Sequence, residues 1–151
     1  MFRYKGCGLD NVYLVNGYSM RKMRNGDEAV AIEDMEGLHR AIALNIVESP
    51  APLEAKTFRF LRKELDMSQR QIAQVLGLEE QTVSLWERGN NAVPQHADIV
   101  LRTLTKETLS GHPELMNLIE RFNSLDREAR EIEANLQFQK EADDGWSRKC
   151  A

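Results

Sequence analysis

The feature that most constrains the fold is a pair of short amphipathic segments separated by one glycine. Ser68 is a typical helix N-cap, and the apolar residues between it and Gly77 recur at helical spacing. A second short segment, 79–88, shows the same periodicity. Glycine readily adopts the left-handed backbone conformation that a sharp turn after a helix requires. We therefore predict two short helices that meet at a steep angle.

Two longer apolar patterns flank this pair of helices. Residues 53–65 carry a single apolar stripe, and a further helix is predicted from Pro94 to about Leu109. Proline and glycine at 111–113 interrupt the chain after that helix, and the Pro-rich tetrapeptide 49–52 precedes the first one. We therefore predict an all-α domain over residues 51–111.

The helical domain resembles the Xre (Cro/cI-type) helix-turn-helix family over about residues 53–109. The resemblance implies that the helix over 79–88 lies in the major groove of DNA, while the preceding helix crosses the backbone. It also implies a core position for Trp86 and an ion pair between Glu87 and Arg62. The residues that carry the resemblance are Phe60-Leu61-Arg62, Leu65, Ser68-Gln69, Ile72-Ala73, Leu76-Gly77, Gln81-Thr82-Val83-Ser84, Trp86-Glu87-Arg88-Gly89 and Pro94.

The resemblance also implies which side chains contact DNA. Glutamine can pair with adenine, glutamate can accept from cytosine, and leucine can meet the thymine methyl group. Helix N-termini favour phosphate. Each of these polar side chains is alternatively a solvated surface residue. The predicted base contacts are Glu80, Gln81, Ser84 and Leu85. The predicted phosphate contacts are Ser68, Gln69, Thr82, Arg88 and Asn90.

The charge of the helical domain indicates how it would bind DNA. Residues 51–111 contain eight basic and eight acidic side chains, so the segment is neutral. A neutral module binds DNA weakly without sequence recognition. We therefore expect two copies on a pseudo-palindromic operator, with half-sites roughly 34 Å apart.

The residues after 112 show a heptad-like pattern. Apolar residues there alternate spacings of three and four, which is typical of a coiled-coil seam, and they are Leu115, Leu118, Phe122, Leu125, Ala129, Ile132 and Leu136. The same spacing equally describes amphipathic helices folded onto the helical domain, and both interpretations stay open. Residues 112–151 are thus predicted to form a helical extension with a frayed tail from Asp143. In the coiled-coil interpretation this extension dimerises through Leu118, Phe122, Leu125, Ile132 and Leu136.

Residues 1–50 are predicted to form a small α+β domain. Two Asn-Gly pairs, at 16–17 and 25–26, suit two-residue hairpin turns. A helix capped by Asp34 should follow and end at the tetrapeptide. The fold class is therefore α+β. The predicted strands form a three-stranded meander near Val12 to Val15, Tyr18 to Met23 and Glu28 to Ile32.

The order of these segments is similar to that of MqsA-type antitoxins, including the stretch from Gly111 to Ile119. This resemblance implies a protein that represses its own operon and neutralises a toxin. That family holds zinc with two Cys-x-x-Cys pairs in its N-terminal domain. Here Cys7 stands alone, and Arg40 and Ala43 occupy the aligned positions of the second pair. We therefore predict no metal and no cofactor.

Composition and the remaining motifs exclude other classes of protein. The chain is 42% hydrophobic and 29% charged with a net charge of -4, which suits a small soluble domain. No apolar run approaches the roughly 20 residues of a membrane span, and no signal-peptide pattern follows Met1, so we expect a cytoplasmic protein. The cysteines lie at opposite ends, and the three histidines, His39, His96 and His112, lack ligand spacing and are expected at the surface or at helix ends.

Three functions remain open from the sequence. The first is a dimeric antitoxin that binds operator DNA and a protein toxin. The second is a stand-alone regulator whose N-terminal domain senses a small ligand. The third, an enzyme with a site in residues 1–50, is disfavoured because the chain has no glycine-rich phosphate loop, nucleophile elbow or His-Glu-x-x-His motif.

Overall fold

The structure, a computed structural model, describes residues 1–124, 137–143 and 145–148. The predicted α+β class is confirmed, with short antiparallel strand pairs followed by helices. The helices are α1 (Met35–Glu48), α2 (Ala55–Glu64), α3 (Gln69–Leu76), α4 (Glu80–Glu87), α5 (Gln95–Leu109) and α6 (Glu114–Ser124). The strands are β1 (Phe2–Arg3), β2 (Tyr13–Leu14), β3 (Tyr18–Lys22), β4 (Glu28–Ile32), β5 (Phe138–Glu141) and β6 (Gly145–Arg148).

The predicted three-stranded meander is wrong. Strand β2 pairs with β1, whereas β3 and β4 form a separate hairpin with Tyr18 opposite Ile32. Asn16-Gly17 is not a hairpin turn, because β2 and β3 do not pair. The carbonyl of Gly17 instead accepts the N–H of Glu33 at 2.8 Å, next to the β3–β4 hairpin. Burial of Tyr4 and Leu14 stabilises the pairing of β1 with β2 instead.

The Asn25-Gly26 turn is confirmed as the β3–β4 connection, although its loop is longer than a two-residue turn. The N–H of Met23 pairs with the carbonyl of Asp27 at 2.7 Å, which leaves three residues in the loop. The N–H of Gly26 donates to the carbonyl of Met23, and Gly26 has a φ of 89°. A left-handed third residue is typical of such loops, and glycine takes this conformation without strain.

Helix α1 begins at the predicted cap. The carboxylate of Asp34 accepts the N–H of Gly37 at 3.2 Å, which confirms the N-cap. The helix ends before Pro50, and the N–H of Ser49 donates to the carbonyl of Asn45.

A single guanidinium ties the end of α1 and the linker to α5. Arg102 donates to the carbonyls of Ile46, Val47 and Ser49 at 3.0, 3.1 and 2.6 Å, and also to the carbonyl of Ala51. Its partner Asp98 accepts from Arg102 and, at 2.7 Å, from the N–H of Leu53. We call this group of contacts the Arg102 clamp. It fixes the direction in which the chain enters α2.

The N-terminal elements and the helices share one hydrophobic core. Its largest fully buried side chains lie in α2, α3, α4 and α5, and Trp86 joins them with an edge-on contact to Phe58, ring centroids 5.6 Å apart. The predicted core position of Trp86 is therefore confirmed. Leu9 and Ala43 belong to the same core, so residues 1–50 pack directly on the helical part. The division into 1–50, 51–111 and 112–151 stays a prediction.

Helix α6 folds back onto the rest of the chain. Leu115, Met116 and Ile119 pack against the core, while Leu118 is 61% exposed. Within the described ranges, no helix is long and apolar enough to cross a membrane. Of the predicted seam, Leu125, Ala129, Ile132 and Leu136 lie outside the described residues, and so does the side chain of Phe122.

The prediction of a frayed tail from Asp143 is wrong for residues 145–148. These residues form β6, which pairs with β5 from Phe138 opposite Arg148 to Glu141 opposite Gly145. Gly145 has a φ of 77°, which suits the turn, and the carboxylate of Glu141 accepts the Ser147 hydroxyl at 2.8 Å.

Candidate nucleic-acid interface

Local hydrogen bonds define the start of α3 and the turn between α3 and α4. The hydroxyl oxygen of Ser68 accepts the N–H of Gln71 at 3.0 Å, and the Gln71 side chain accepts the N–H of Ser68 at 2.8 Å. This capping box confirms the predicted N-cap of α3. At the other end Gly77 has a φ of 69°, and the N–H of Leu78 donates to the carbonyl of Ala73 at 2.9 Å. The two helices are thus held as the predicted pair.

The predicted base contacts share the outer side of α4. Glu80 and Gln81 are exposed, and Ser84 and Leu85 are partly exposed. The opposite side of the helix anchors it, because Val83 and Trp86 are buried. The outer side of α4 therefore presents a mixed polar and apolar strip, whose side-chain types are ones that can contact base edges in the major groove. Contact of these four side chains with bases stays a prediction.

The predicted phosphate contacts fall into separate groups. Ser68 and Gln69 lie at the start of α3, and the amide nitrogen of Gln69 donates to Glu87 at 3.3 Å. Thr82 is partly buried in the first turn of α4, whereas Arg88 and Asn90 are exposed just after that helix ends. The link to Glu87 orients Gln69 and leaves its second amide hydrogen available to a phosphate. These phosphate contacts also stay predictions.

The predicted pair between Arg62 and Glu87 is confirmed. The guanidinium donates to both carboxylate oxygens at 2.7 Å, and only 10% and 3% of the two side chains are exposed. Arg62 also donates to the carbonyl of Met67 at 2.8 Å. Among the described residues, no buried side-chain nitrogen or oxygen lacks a hydrogen-bond partner. This bidentate pair joins α2 to the end of α4 and supports the position of Gln69.

His39 is a residue whose place the sequence did not reveal. Its Nδ1 lies 2.8 Å from Glu64 Oε1, and its Nε2 lies 2.8 Å from the Tyr4 hydroxyl. Burial raises the pKa of Tyr4, and the nearby Cys7 and Glu64 raise it further, so the phenol stays protonated at neutral pH and can donate. The expectation of a surface or helix-terminal histidine is wrong here, since His39 bridges Tyr4, which follows β1, and Glu64 at the end of α2.

Metal ligands do not converge in the part of the chain that is described. No group of three or more histidine, cysteine, aspartate or glutamate side chains there could hold a metal ion. The thiol of Cys7 contacts the carbonyl of Tyr4 at 3.8 Å. Absence of zinc from the protein stays a prediction.

A second feature lies away from α4. A groove of about 570 Å³ runs between residues 9–14, α1 and the start of α2. Leu9, Leu38, Ile42 and Leu53 give it apolar walls. We call it the N-terminal groove.

Comparison with protein families assigns the central helices. Residues 58–97 match the helix-turn-helix family model, which covers α3, α4 and the parts of α2 and α5 that enclose them. The Xre (Cro/cI-type) resemblance is confirmed over these residues. The chain therefore carries the double-stranded DNA-binding module of a transcription regulator. No curated protein and no solved structure matches the chain. The similarity to MqsA-type antitoxins stays a prediction.

Proposed function

We propose that the protein is a dimeric, sequence-specific repressor and an antitoxin that controls its own type II toxin–antitoxin operon in the cytoplasm. The observation that carries the DNA-binding part is α4 itself. Glu80, Gln81, Ser84 and Leu85 lie on its outer side. Val83 and Trp86 on its inner side are buried in the core. Because residues 51–111 are neutral, we propose that two copies bind a pseudo-palindromic operator.

The proposed dimer uses the outer side of α6. Its inward residues already pack on the same chain, so the exposed Leu118 is left to begin a seam with Phe122, Leu125, Ile132 and Leu136. The double variant Leu125→Asp with Ile132→Asp should then be monomeric and lose operator affinity. Light scattering measures the mass directly. A dimer of unchanged mass in this variant would contradict the seam.

The proposed toxin-binding surface lies on the N-terminal strands. Tyr13, Val15, Met20 and Met23 are each more than half exposed, so these apolar side chains are available to anchor a partner. Among the described strands, β3 and β4 pair only with each other, so each has an edge that a partner strand can join. Tyr18 is a weaker anchor than Tyr13 and Met20, because its ring already packs on Phe2 at 5.2 Å between centroids.

Point variants of the full chain test this surface better than a truncation, because residues 1–50 contribute Leu9 and Ala43 to the shared core. We expect the full chain to rescue cells that express the neighbouring gene. The variant Met20→Asp with Met23→Asp should lose rescue and keep operator binding, whereas the matched exposed change Ile99→Asp on α5 should keep both. The antitoxin proposal would be overturned if the product of the neighbouring gene is not toxic to cells, or if both variants rescue growth equally.

The second candidate is a stand-alone regulator that senses a small molecule in the N-terminal groove. The groove volume of about 570 Å³ falls in the range of small-ligand sites. It also borders the linker at Pro52 and the first residues of α2, so a ligand there would touch the first helix of the predicted DNA-binding domain. If this candidate is correct, the small-molecule fraction of a cell extract should release the protein from operator DNA. Replacement of Ile42 by Trp, which fills the groove, should abolish that release.

A further inference from the structure

We propose that a second, basic groove beside α2 binds the DNA backbone and extends the contact with DNA beyond the helix-turn-helix. The inference rests on the proposed binding of DNA by α4. The groove is formed by Lys56, Arg59 and Lys63 on one side and by the loop 6–8 on the other, and it encloses about 360 Å³. We call it the α2 groove.

The geometry of α2 brings the cations of this groove together. Lys56, Arg59 and Lys63 are spaced by three and four residues, so they lie along one face of the helix. The loop opposite contains Gly6, whose Cβ position is filled by the ring of Tyr4, and Gly8, which has no side chain to block access. At Gly8 the backbone has a φ of 83°, and the position where a Cβ would lie is open space.

The acidic residues of the groove are already engaged. Glu87 forms an ion pair with Arg62, and Glu64 is hydrogen-bonded to His39, which does not compensate its charge when the imidazole is neutral. Lys56 is compensated by Asp10, whose pKa is lowered by its hydrogen bond to that lysine. Two cations remain for a ligand.

Those two cations are Arg59 and Lys63. The Arg59 side chain is 57% exposed and reaches a Glu87 oxygen only at 4.0 Å. Lys63 is exposed and forms no ion pair with any residue that the structure describes. These two cations outnumber the one remaining carboxylate of the groove, Glu64, so the local charge is positive although the helical domain as a whole is neutral.

The position of the α2 groove favours DNA as the anion. Glu87 lines the groove, and the same carboxylate holds the amide of Gln69, the predicted phosphate contact at the start of α3. A DNA strand that meets Gln69 therefore passes beside Arg59 and Lys63. The regularly spaced phosphates of a DNA strand can pair with both cations, and such contacts do not depend on the base sequence.

The dependence of DNA affinity on salt concentration measures how many phosphate contacts each variant loses. The probe is a 24-base-pair duplex of random sequence, and the readout is its anisotropy against salt concentration. Each phosphate contact contributes about 0.9 to the slope of log affinity against log salt. Lys63→Gln should lower the slope by ~0.9 per protomer, and Arg59→Gln with Lys63→Gln by about twice that. The matched control is Lys106→Gln on α5, which should leave the slope unchanged.

A thiol footprint locates the DNA independently. Cys7 lines the α2 groove and is partly exposed. In a Cys150→Ser background it is the remaining cysteine of the chain. Bound duplex should slow its labelling by a maleimide, and Arg59→Gln with Lys63→Gln should weaken that protection.

Two results would overturn the α2 groove as a DNA contact. One is a salt slope for Lys63→Gln equal to that of Lys106→Gln. The other is a Cys7 labelling rate that bound DNA leaves unchanged. If the unaltered protein binds neither random nor selected duplexes, the proposed DNA-binding function itself fails, which is a different outcome.

Discussion

Replacement of Arg62 by Met removes one partner of the buried ion pair that joins α2 to α4. Arg62 donates two hydrogen bonds of 2.7 Å to Glu87 and one of 2.8 Å to the carbonyl of Met67. The Glu87 side chain is only 3% exposed, so water cannot replace the lost donors. Methionine has similar length and keeps most of the apolar contact.

The expected loss of folding stability depends on the hydrogen-bond partners that Glu87 keeps after Arg62 is replaced. Removing one partner of a buried pair costs about 3 to 5 kcal/mol. In this case Gln69 still donates to Glu87 at 3.3 Å and Arg59 stays 4.0 Å away, which places the cost at the lower end. We therefore expect a loss of about 3 kcal/mol and a fall in Tm of roughly 10 °C.

A double-mutant cycle separates the pair from general loss of packing. The double variant Arg62→Met with Glu87→Leu removes both charges and should be more stable than Arg62→Met alone, with a coupling energy of about 2 kcal/mol. Urea unfolding followed by circular dichroism gives all four stabilities. If Arg62→Met loses less than about 1 kcal/mol, or if the double variant is the least stable, the buried pair does not join the helices as described.

Three further predictions concern parts of the fold outside the ion pair. Arg102→Met should destabilise the protein by roughly 2 to 3 kcal/mol in urea unfolding, because carbonyls at the end of α1 lose their donor, whereas Lys106→Met should change little. Ser68→Ala should cost about 1 kcal/mol in the same assay by removing the cap of α3, and an unchanged midpoint would exclude that role. A chelator should leave Tm unchanged, since Cys7 has no nearby set of metal ligands among the described residues, and one zinc per chain in metal analysis would contradict this.

The features that the sequence predicted are those set by neighbours within a few residues. Ser68 and Asp34 cap helices through N–H groups three residues away, and Gly26 and Gly77 occupy left-handed turn positions. Such contacts need no knowledge of the rest of the fold, because the local spacing of residue types specifies them. The pair between Arg62 and Glu87 is distant in sequence and was predictable only through the family resemblance.

The features that the sequence did not predict depend on contacts between distant segments. The Arg102 clamp reaches Ile46 and Val47, more than 50 residues away, and no local pattern marks those carbonyls as acceptors. His39 likewise meets Tyr4 and Glu64 only because α1 packs on α2. The pairing of β1 with β2 and the α2 groove arise from the same packing of residues 1–50 on the helices.

Recognition of DNA bases by the outer side of α4 is tested most directly by one pair of variants. Gln81 is exposed on α4, whereas Gln69 is held by Glu87 at the start of α3. Binding of each variant to a selected operator and to its single-base changes should be measured by anisotropy at fixed salt. Gln81→Ala should lose about 1 to 3 kcal/mol of discrimination at one base position, and Gln69→Ala should weaken binding to all sequences alike. If Gln81→Ala keeps both the affinity and the base preference of the unaltered protein, α4 does not read DNA in the way proposed.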